Sequence, residues 1–376
     1  MPTNSYQTTG KRMRLRELGF TIGKFTTGRW NAITDVPGVL VGHSTIIDEV
    51  TTEKNAQIIR TGVSIILPRG HQIAEEPVFA GTHTLNGNGE MTGLEWVRES
   101  GTLTTPIALT NTHSVGVVRD AIIDYAIKRR CLGKFTTSLP VVGETWDGEL
   151  SDINGMHVTK EHVFQAITSA RNGHVTEGSV GGGTGMICHD FKAGIGTASR
   201  IVTQHQWVVG VLVQANYGKR ERFCVNGVPM GKLIPIAEVP SPRIEREKDT
   251  GSIIIIVATN APMIPTQCSR IAQRAALGVA RVGGIGGNGS GDVFLAFSTA
   301  NSSLTKYNND NGTISINMLP NDDLDDLFEA TIDATEEAII NSICMANTMN
   351  GVNGKVAYAI PLDRLYKEMT RFTIPY

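Results

Sequence analysis

The sequence predicts a mixed fold in which helices pack on the outside of sheets and one sheet faces another inside. Predicted strands outnumber predicted helices in each half of the 376-residue chain, and the longer helices follow strands. An element that is apolar on one face must bury that face against another layer. No internal repeat is apparent, and the only linker-like stretch, 235–249, is too short to separate domains. We therefore expect a single domain, 1–376.

Short apolar runs bounded by Gly, Pro, Asn or Thr predict the strands. β-Branched side chains suit the pleated, packed surface of a sheet, and the isoleucine run 253–256 is the clearest case. The run 207–213 leads into the sequence QANYG, whose backbone and side-chain amides are placed to face a cleft. The other predicted strands are 39–41, 63–67, 106–109 and 293–299.

Apolar residues at helical spacing predict four helices. The clearest one begins at Pro265, which suits a first helical turn, and repeats Ile271, Ala275 and Val279 every four residues. The last one has acidic residues at its start, where they favour the helix dipole. The four ranges are 115–127, 160–170, 265–281 and 322–345. Between elements, the polar stretches 147–154 and 301–313 predict loops.

Composition and charge exclude several classes of function. The chain is 40% hydrophobic with a net charge of -2, so it shows no electrostatic footprint for nucleic acid or an anionic membrane. The N-terminal stretch is basic and polar without an apolar core, and no apolar stretch reaches membrane-spanning length. We expect a cytoplasmic protein, or a periplasmic one if a signal has been removed.

Cysteine and histidine patterns give no support to a metal site or another cofactor. The nine histidines are scattered without an HExxH motif, and the cysteines show no CxxC spacing. An odd number of scattered cysteines is typical of reduced, mostly buried thiols. The five cysteines are Cys131, Cys188, Cys224, Cys268 and Cys344.

Two glycine clusters, 181–185 and 283–291, predict tight turns and close backbone approaches near a site. Part of the second cluster, 284–289, matches GxGxxG, but a predicted helix precedes it and a predicted strand follows. The dinucleotide fingerprint needs the reverse order, so we interpret the match as accidental. A match to SxxK at 303–306 lies in a polar, Asn-rich loop, and no GxSxG elbow occurs.

Gly251-Ser252 is the most informative pair in the chain. It lies between a charged, turn-prone stretch, 244–250, and the isoleucine strand. We expect glycine to supply a backbone conformation that other residues resist, which would strain the peptide bond before Ser252. A serine there can attack its own preceding carbonyl and become an N-terminal nucleophile with a free amine. The alternative is that Gly-Ser simply ends a surface loop.

Ser290 and Asp292 form a second candidate constellation. A spacing of two along an extended segment places both side chains on the same face. A hydroxyl beside a carboxylate can relay a proton. The alternative is a glycine-rich turn with a solvated aspartate.

Several stretches occur in an order that resembles one known family. They are NAITDVPGVLVGHSTI, LNGNGEMTGLEWV, PVVGETWDG, GSVGGGTGM, VGVLVQANYG, GSIIIIVATNAP, QRAALGVAR and GSGDVFLAFST. Together they resemble the DmpA-type self-processing aminopeptidases, which include the L-aminopeptidase/D-amidase/D-esterase and the β-peptidyl aminopeptidases. The resemblance runs from about Leu15 to the C-terminus.

The resemblance implies an α+β fold, a four-layer αββα sandwich similar in logic to N-terminal-nucleophile hydrolases. It also implies autoproteolysis between Gly251 and Ser252, giving chains 1–251 and 252–376. The two chains would stay associated because the isoleucine strand is expected in the centre of the sheet. The relatives further suggest a homotetramer of cleaved protomers.

The resemblance also assigns catalytic roles by position. Ser252 matches the nucleophile of both self-cleavage and turnover, and Asn216 matches the asparagine that stabilises the oxyanion. Ser290 and Asp292 match the supporting serine-x-acid pair, although family members often carry Glu at the acid position. An aspartate is one methylene shorter, so its contact is expected to differ.

Two further positions match the substrate-binding residues of the family. Glu144 matches the acid that meets the free amine of the substrate. Trp146 lies where some relatives carry Tyr, and an indole N–H replaces the phenolic hydroxyl there. Substrate preference is therefore expected to differ.

The predicted activity is that of a serine aminopeptidase acting through an acyl-enzyme on Ser252. Its partners would be small peptides, aminoacyl amides or esters, including those with β- or D-residues, with no metal, cofactor, nucleic acid or membrane. The base is either the new α-amine of Ser252 or the pair Ser290 and Asp292. An acyltransferase of the ornithine acetyltransferase type, which uses threonine, is the alternative. A non-enzymatic binding protein with a degenerate site is a third.

Overall fold

Two sheets lie face to face between two layers of helices in the computed structural model of the chain. The structure describes residues 11–51, 56–129, 138–202, 206–243, 251–302, 304 and 312–372. One sheet has four strands and the other has six. Separate apolar cores fill the space between the sheets and the space between each sheet and its helices. The predicted four-layer αββα arrangement is confirmed.

The strands along the chain are β1 Leu40–Thr51, β2 Ala56–His71, β3 Val78–Gly87, β4 Thr102–Leu103, β5 Ile107–Asn111, β6 Val141–Thr145, β7 Ile187–Cys188, β8 Phe191–Lys192, β9 Ile195–Val202, β10 Trp207–Asn216, β11 Ser252–Thr259, β12 Gly291–Ser298, β13 Met349–Asn350 and β14 Val356–Ala357. The helices are α1 Leu94–Ser100, α2 Val115–Lys128, α3 Lys160–Thr168, α4 Met230–Leu233, α5 Pro265–Arg281, α6 Asp325–Cys344 and α7 Leu362–Phe372. The four-stranded sheet has the order β1-β2-β5-β6, and the six-stranded sheet has the order β4-β3-β12-β11-β10-β9.

Strand β11 is buried on both faces because its side chains alternate between two cores. Ile253 and Ile255 join the core that contains α5 and α6, whereas Ile254 and Ile256 join the core between the sheets. β11 pairs in antiparallel fashion with β10 and in parallel with β12. The segment before Ser252 therefore supplies one neighbour of β11, and the segment after it supplies the other.

The predicted helices agree with the structure, and 265–281 agrees at both ends. Ranges 115–127, 160–170 and 322–345 correspond to α2, α3 and α6. Among the strands, 39–41 and 63–67 were too short, because β1 and β2 form one long antiparallel ladder. The strands at 106–109, 207–213, 253–256 and 293–299 are present, and each of them is longer or shifted by one or two residues in the structure.

Other sequence interpretations can also be compared with the structure. The GxGxxG match follows α5 and precedes β12, which agrees with its interpretation as accidental. Cys188, Cys268 and Cys344 are buried free thiols, and Cys224 is a half-buried one. Cys131, most of the SxxK match at 303–306, and parts of the predicted loops 235–249 and 301–313 lie outside the described residues. Within the part of the chain that is described, no helix is both long and apolar enough to cross a membrane.

A buried ionic network ties the N-terminal segment and β9 to α6. The Glu337 carboxylate accepts hydrogen bonds from Arg16 Nε at 2.9 Å, from Arg200 Nη2 at 2.7 Å and from Asn31 Nδ2 at 2.6 Å. The side chains of Arg200 and Glu337 are both fully buried. Because residues 16, 31 and 200 precede Ser252 and Glu337 follows it, this network joins the two halves of the chain.

We predict that Glu337→Gln lowers the free energy of unfolding by about 3–5 kcal/mol, since it leaves the Arg200 charge buried without its carboxylate partner. Chemical denaturation measures this change. Glu329→Gln is the matched control, because Glu329 pairs with Lys24 at an exposed site where ion pairs contribute little. Equal stabilities of the two variants would contradict the assigned role of Glu337.

Candidate active site

A polar cleft opens at the end of the six-stranded sheet where β10 ends and β11 and β12 begin. Its volume is about 310 Å³. The far wall comes from the four-stranded sheet, so the cleft lies between the two sheets. The lining residues are Asn88, Thr112, Glu144, Trp146, Asn216, Gly251, Ser252 and Gly289.

Ser252 begins β11, opposite Asn216 on one neighbouring strand and Gly291 on the other. The backbone N–H of Gly291 lies 3.1 Å from Ser252 Oγ and 3.2 Å from the carbonyl oxygen of Gly251. One amide donor thus faces both the hydroxyl of the serine and the carbonyl that precedes it. Such a donor stabilises negative charge that develops on either oxygen.

Gly251 is required by close packing. A Cβ atom on this residue would lie 2.4 Å from the carbonyl oxygen of Asn216 and 2.8 Å from Tyr217 Cα. Both are backbone atoms that cannot rotate away. The expectation that glycine supplies an unusual backbone conformation is wrong, because the φ angle of Gly251 lies outside the left-handed range. Gly251 instead allows β10 to approach the peptide bond before Ser252.

The side-chain amide of Asn216 is held on both sides. Its Oδ1 accepts hydrogen bonds from Ile187 N at 3.0 Å and Arg243 Nη2 at 2.8 Å. Its Nδ2 donates one hydrogen to the Trp146 carbonyl oxygen at 2.8 Å. The second Nδ2 hydrogen has no partner among the described residues, and Asn216 lines the cleft. That N–H is available to a ligand.

Glu144 lies on β6 with its carboxylate at the far wall of the cleft. The carboxylate accepts hydrogen bonds from Glu90 N at 3.0 Å and from the Thr112 hydroxyl. Burial raises the pKa of Glu144, and these two hydrogen bonds oppose part of that shift. The two donors hold the orientation of the buried Glu144 side chain.

Trp146 contributes both its backbone and its ring to the cleft. The carbonyl oxygen accepts the Asn216 hydrogen bond, and the half-exposed indole lies over Gly148, where a Cβ atom would be 2.5 Å from the ring. The next residue, Asp147, is fully buried, and burial raises its pKa to about 7. The tryptophan therefore forms an apolar wall beside buried acidic groups.

Ser290 and Asp292 form one buried hydrogen-bonded pair. Ser290 Oγ lies 2.6 Å from Asp292 Oδ2 and 2.7 Å from the carbonyl oxygen of Gly287. Asp292 is only 2% exposed, so the alternative of a solvated aspartate is wrong. The pair flanks Gly291, but within the described residues neither side chain forms a hydrogen bond with the Ser252 hydroxyl. The structure therefore places Ser290 and Asp292 on either side of Gly291, the residue that pairs with Ser252, and not in hydrogen-bond contact with the Ser252 hydroxyl.

A family model for peptidase family S58 matches residues 31–357. The chain belongs to peptidase family S58.

The S58 chain is similar to curated and structurally characterised proteins over nearly its whole length. It is 46% identical over 361 residues to a beta-peptidyl aminopeptidase BapA of Sphingosinicella microcystinivorans, covering 93% of this chain and 89% of the relative. A BapA of Sphingosinicella xenopeptidilytica is 42% identical over 371 residues, with 95% and 90% covered.

Two solved structures share the fold of the S58 chain. A beta-aminopeptidase from Burkholderia sp. superposes with a TM-score of 0.88 at 47% identity, covering 97% of this chain and 100% of that one. The L-aminopeptidase D-Ala-esterase/amidase of Ochrobactrum anthropi superposes with a TM-score of 0.86 at 38% identity, with 96% and 98% covered. The second is described as a prototype serine aminopeptidase and a variant of the Ntn hydrolase fold.

These relatives confirm the predicted class, a serine aminopeptidase of the N-terminal-nucleophile type. They give no support to the acyltransferase alternative. Peptides are the general class of substrate that the S58 family implies.

Sequence reasoning missed several residues that build this S58 site. Arg243 and Ile187 hold the Asn216 amide, while Glu90 N and Thr112 hold the Glu144 carboxylate. Their contacts join segments far apart in sequence, and no local pattern marks them. The NGNGE sequence around residue 88 could have indicated Glu90 as a residue of the site, because it lies in one of the stretches that resemble the family.

Proposed function

We propose that this S58 peptidase cleaves its own Gly251–Ser252 bond and then uses Ser252 as an N-terminal nucleophile on short peptides. The observation that carries the proposal is the Gly291 N–H that faces both Ser252 Oγ and the Gly251 carbonyl oxygen. This arrangement supplies an oxyanion donor at the bond that precedes the nucleophile. The resulting chains would be 1–251 and 252–376.

Self-cleavage proceeds as an acyl shift from nitrogen to oxygen. Ser252 Oγ attacks the Gly251 carbonyl carbon, and the Gly291 N–H stabilises the negative oxygen of the tetrahedral intermediate. The carbon–nitrogen bond breaks, the nitrogen takes up the proton that the Ser252 hydroxyl gives up, and the Gly251 carbonyl becomes an ester of the serine oxygen. Water hydrolyses that ester and leaves Ser252 with a free hydroxyl and a free α-amine.

Turnover uses the same groups on a bound substrate. Ser252 Oγ attacks the carbonyl of the substrate's N-terminal residue, while the free N–H of Asn216 and the Gly291 amide stabilise the oxyanion. The α-amine of Ser252 has a reference pKa of about 7.7–8.0, so it can accept the serine proton near neutral pH. The buried Ser290–Asp292 pair, which flanks Gly291, supports this proton transfer. The α-amine passes this proton to the leaving amine as the substrate carbon–nitrogen bond breaks, and the rest of the peptide departs. Water then hydrolyses the acyl-enzyme ester and releases the N-terminal amino acid.

Glu144 selects substrates with a free amine. Its buried carboxylate lies across the cleft from the nucleophile and offers charge to an ammonium group. Recognition of amine and carbonyl leaves the backbone between them less constrained, so a residue with an extra backbone methylene can be accepted. The relatives are named beta-peptidyl aminopeptidases and beta-aminopeptidase, and we propose β-aminoacyl peptides as substrates, with D-residues as a second class.

We also propose a homotetramer of cleaved protomers, as the family resemblance implies. Exposed apolar side chains at Ile314, Ile316 and Met318 support association between copies. The native mass of the purified protein tests this, since a tetramer would have four times the 40.5 kDa of one protomer.

A panel of p-nitroanilides tests the proposed substrate class. The Glu144→Gln variant, assayed on the same panel, tests the proposed role of Glu144 in binding the substrate amine. We expect release of p-nitroaniline from β-aminoacyl substrates with a free amine and none from the N-acetylated forms. Glu144→Gln should raise KM by about 10- to 100-fold, because a hydrogen bond between charged groups is lost. Glu95→Gln, at an exposed site on α1, should leave KM unchanged.

The pH profile adds a second readout. Because burial raises the pKa of Glu144, its carboxylate is charged only above that raised value. Protonation of the Ser252 α-amine already lowers kcat/KM as pH falls below about 7.7–8.0. The wild type should show a further fall at lower pH, through a value above the ordinary glutamate pKa of about 4.3, and Glu144→Gln should lose this further fall only. Equal activity on acetylated substrates, or the same further fall at low pH in Glu144→Gln, would contradict the assignment.

A further inference from the structure

The chemistry of its neighbours fixes which end of the Asn216 amide faces which group. Ile187 N–H and the Arg243 guanidinium can only donate hydrogen bonds, and the Trp146 carbonyl can only accept one. A flipped amide would set its NH₂ group against two donors and its oxygen against an acceptor. The oxygen must therefore face Arg243, and the NH₂ group must face Trp146 and the cleft.

Arg243 is the charged member of this set. Its Nη2 donates to Asn216 Oδ1 at 2.8 Å, and its Nη1 donates to the Ile187 carbonyl oxygen at 3.2 Å. The residue is 7% exposed, so water screens its charge weakly. A guanidinium on the amide oxygen polarises the amide and strengthens the N–H groups at the other end as donors.

Buried hydrogen bonds fix Arg243 itself. Its backbone N–H donates to Ser241 Oγ at 3.0 Å, and that hydroxyl donates to Asp190 Oδ1 at 2.8 Å. The other Asp190 oxygen accepts the backbone N–H of Arg220 at 2.9 Å. Asp190 lies in the two-residue turn between β7 and β8, so the same hairpin that provides the Ile187 N–H also anchors the arginine segment.

We propose that Arg243 is a positioning residue of the oxyanion site, locking the Asn216 amide and polarising its N–H toward the cleft. The proposal rests on the proposed function, since it needs Asn216 to act on an oxyanion. Arg243 also lies eight residues before Gly251. It would therefore hold the same amide in place before and after self-cleavage, close to the end of the first fragment.

A double-mutant cycle separates positioning from general structural support. Loss of an oxyanion donor costs about 10²–10³ in kcat, so Arg243→Ala should lower kcat by about 10- to 100-fold with little change in KM. In the Asn216→Ala background, the same change should have almost no further effect, because the group that Arg243 orients is gone. An equal loss of kcat in both backgrounds would overturn the proposal.

Partial restoration of kcat, by lysine at position 243 or by added guanidinium ion, provides the second readout. Arg243→Lys keeps the charge but not the planar fork, and should retain intermediate activity. Added guanidinium ion at millimolar concentration should raise the kcat of Arg243→Ala and leave that of the wild type and of Arg69→Ala unchanged. Arg69 is a suitable control because it also donates a guanidinium N–H to a backbone carbonyl, at Asn301, outside the cleft.

The measurements are made per mole of processed protein, with the cleaved fraction from intact mass and folding from circular dichroism. If Arg243→Ala is folded but uncut, guanidinium should accelerate its cleavage, and an unchanged cleavage rate would overturn the proposal. A wild type that is uncut and inactive would refute the proposed function. An active wild type with unchanged kcat in Arg243→Ala would refute the positioning role alone.

Discussion

Ser252→Ala should remain one chain of 376 residues and should show no turnover of any aminoacyl substrate. Without the hydroxyl, no oxygen can attack the Gly251 carbonyl, and no N-terminal nucleophile forms. The substitution removes only one hydrogen-bond acceptor, from the Gly291 N–H, so β11 should keep its place between β10 and β12. Intact-mass analysis and a p-nitroanilide assay on the same sample measure both effects.

Ser298→Ala is the matched control for this prediction. Ser298 is a buried serine at the other end of β12, where its hydroxyl donates to the Ala261 carbonyl oxygen. This variant should process and turn over substrate like the wild type, with some loss of stability. Cleavage of the Ser252→Ala chain at residue 251 would show that another group attacks the bond.

Asn216→Ala should lower kcat by about 10²–10³, which corresponds to about 2.7–4 kcal/mol of transition-state stabilisation. The effect should fall on kcat, because the free N–H meets negative charge that develops only in the transition state. Asn216→Asp is a sharper test, since its carboxylate still accepts from Ile187 N and Arg243 but offers no N–H to the cleft. It should be at least as impaired as Asn216→Ala.

Steady-state kinetics on processed protein measure kcat and KM separately for the two Asn216 variants. A rise in KM with unchanged kcat would show that Asn216 binds the ground state of the substrate. Wild-type activity in Asn216→Asp would contradict an oxyanion role.

The elements that the sequence predicted well are those whose local pattern agrees with their packing. Helix α5 follows from Pro265 and the four-residue apolar repeat, and β11 follows from its isoleucine run. Both elements bury side chains that are apolar in the sequence. Local pattern and tertiary environment agree there, which makes the prediction reliable.

The elements that were missed depend on distant partners. Strand β9 buries Thr197, Ser199 and Arg200, and these residues donate hydrogen bonds to Glu177, Asn31 and Glu337 respectively. In strand β3, Gly81 lies against α5, where a Cβ atom would be 2.2 Å from Ser269 N. Neither sequence has the run of β-branched residues that predicts a strand. Contacts with distant residues hold these two strands in place instead.

The residues of the site also divide into those that local sequence indicates and those that depend on distant contacts. Ser252, Asn216 and Glu144 could be predicted because their neighbouring residues resemble a family, and the cleft brings these three together. Arg243 and Ile187 could not be predicted, since their contacts with Asn216 span 27 and 29 residues and follow from the hairpin at β7 and β8. The sequence therefore pointed to the groups that we propose to react, and the fold adds the groups that orient them.

Mass spectrometry of the purified wild-type protein under denaturing conditions tests the central claim most directly. After incubation at neutral pH, we expect two chains, one of 251 residues ending at Gly251 and one of 125 residues beginning with Ser252 and carrying a free α-amine. A single uncut chain, or a second chain that begins at any other residue, would contradict the claim that Ser252 is an N-terminal nucleophile.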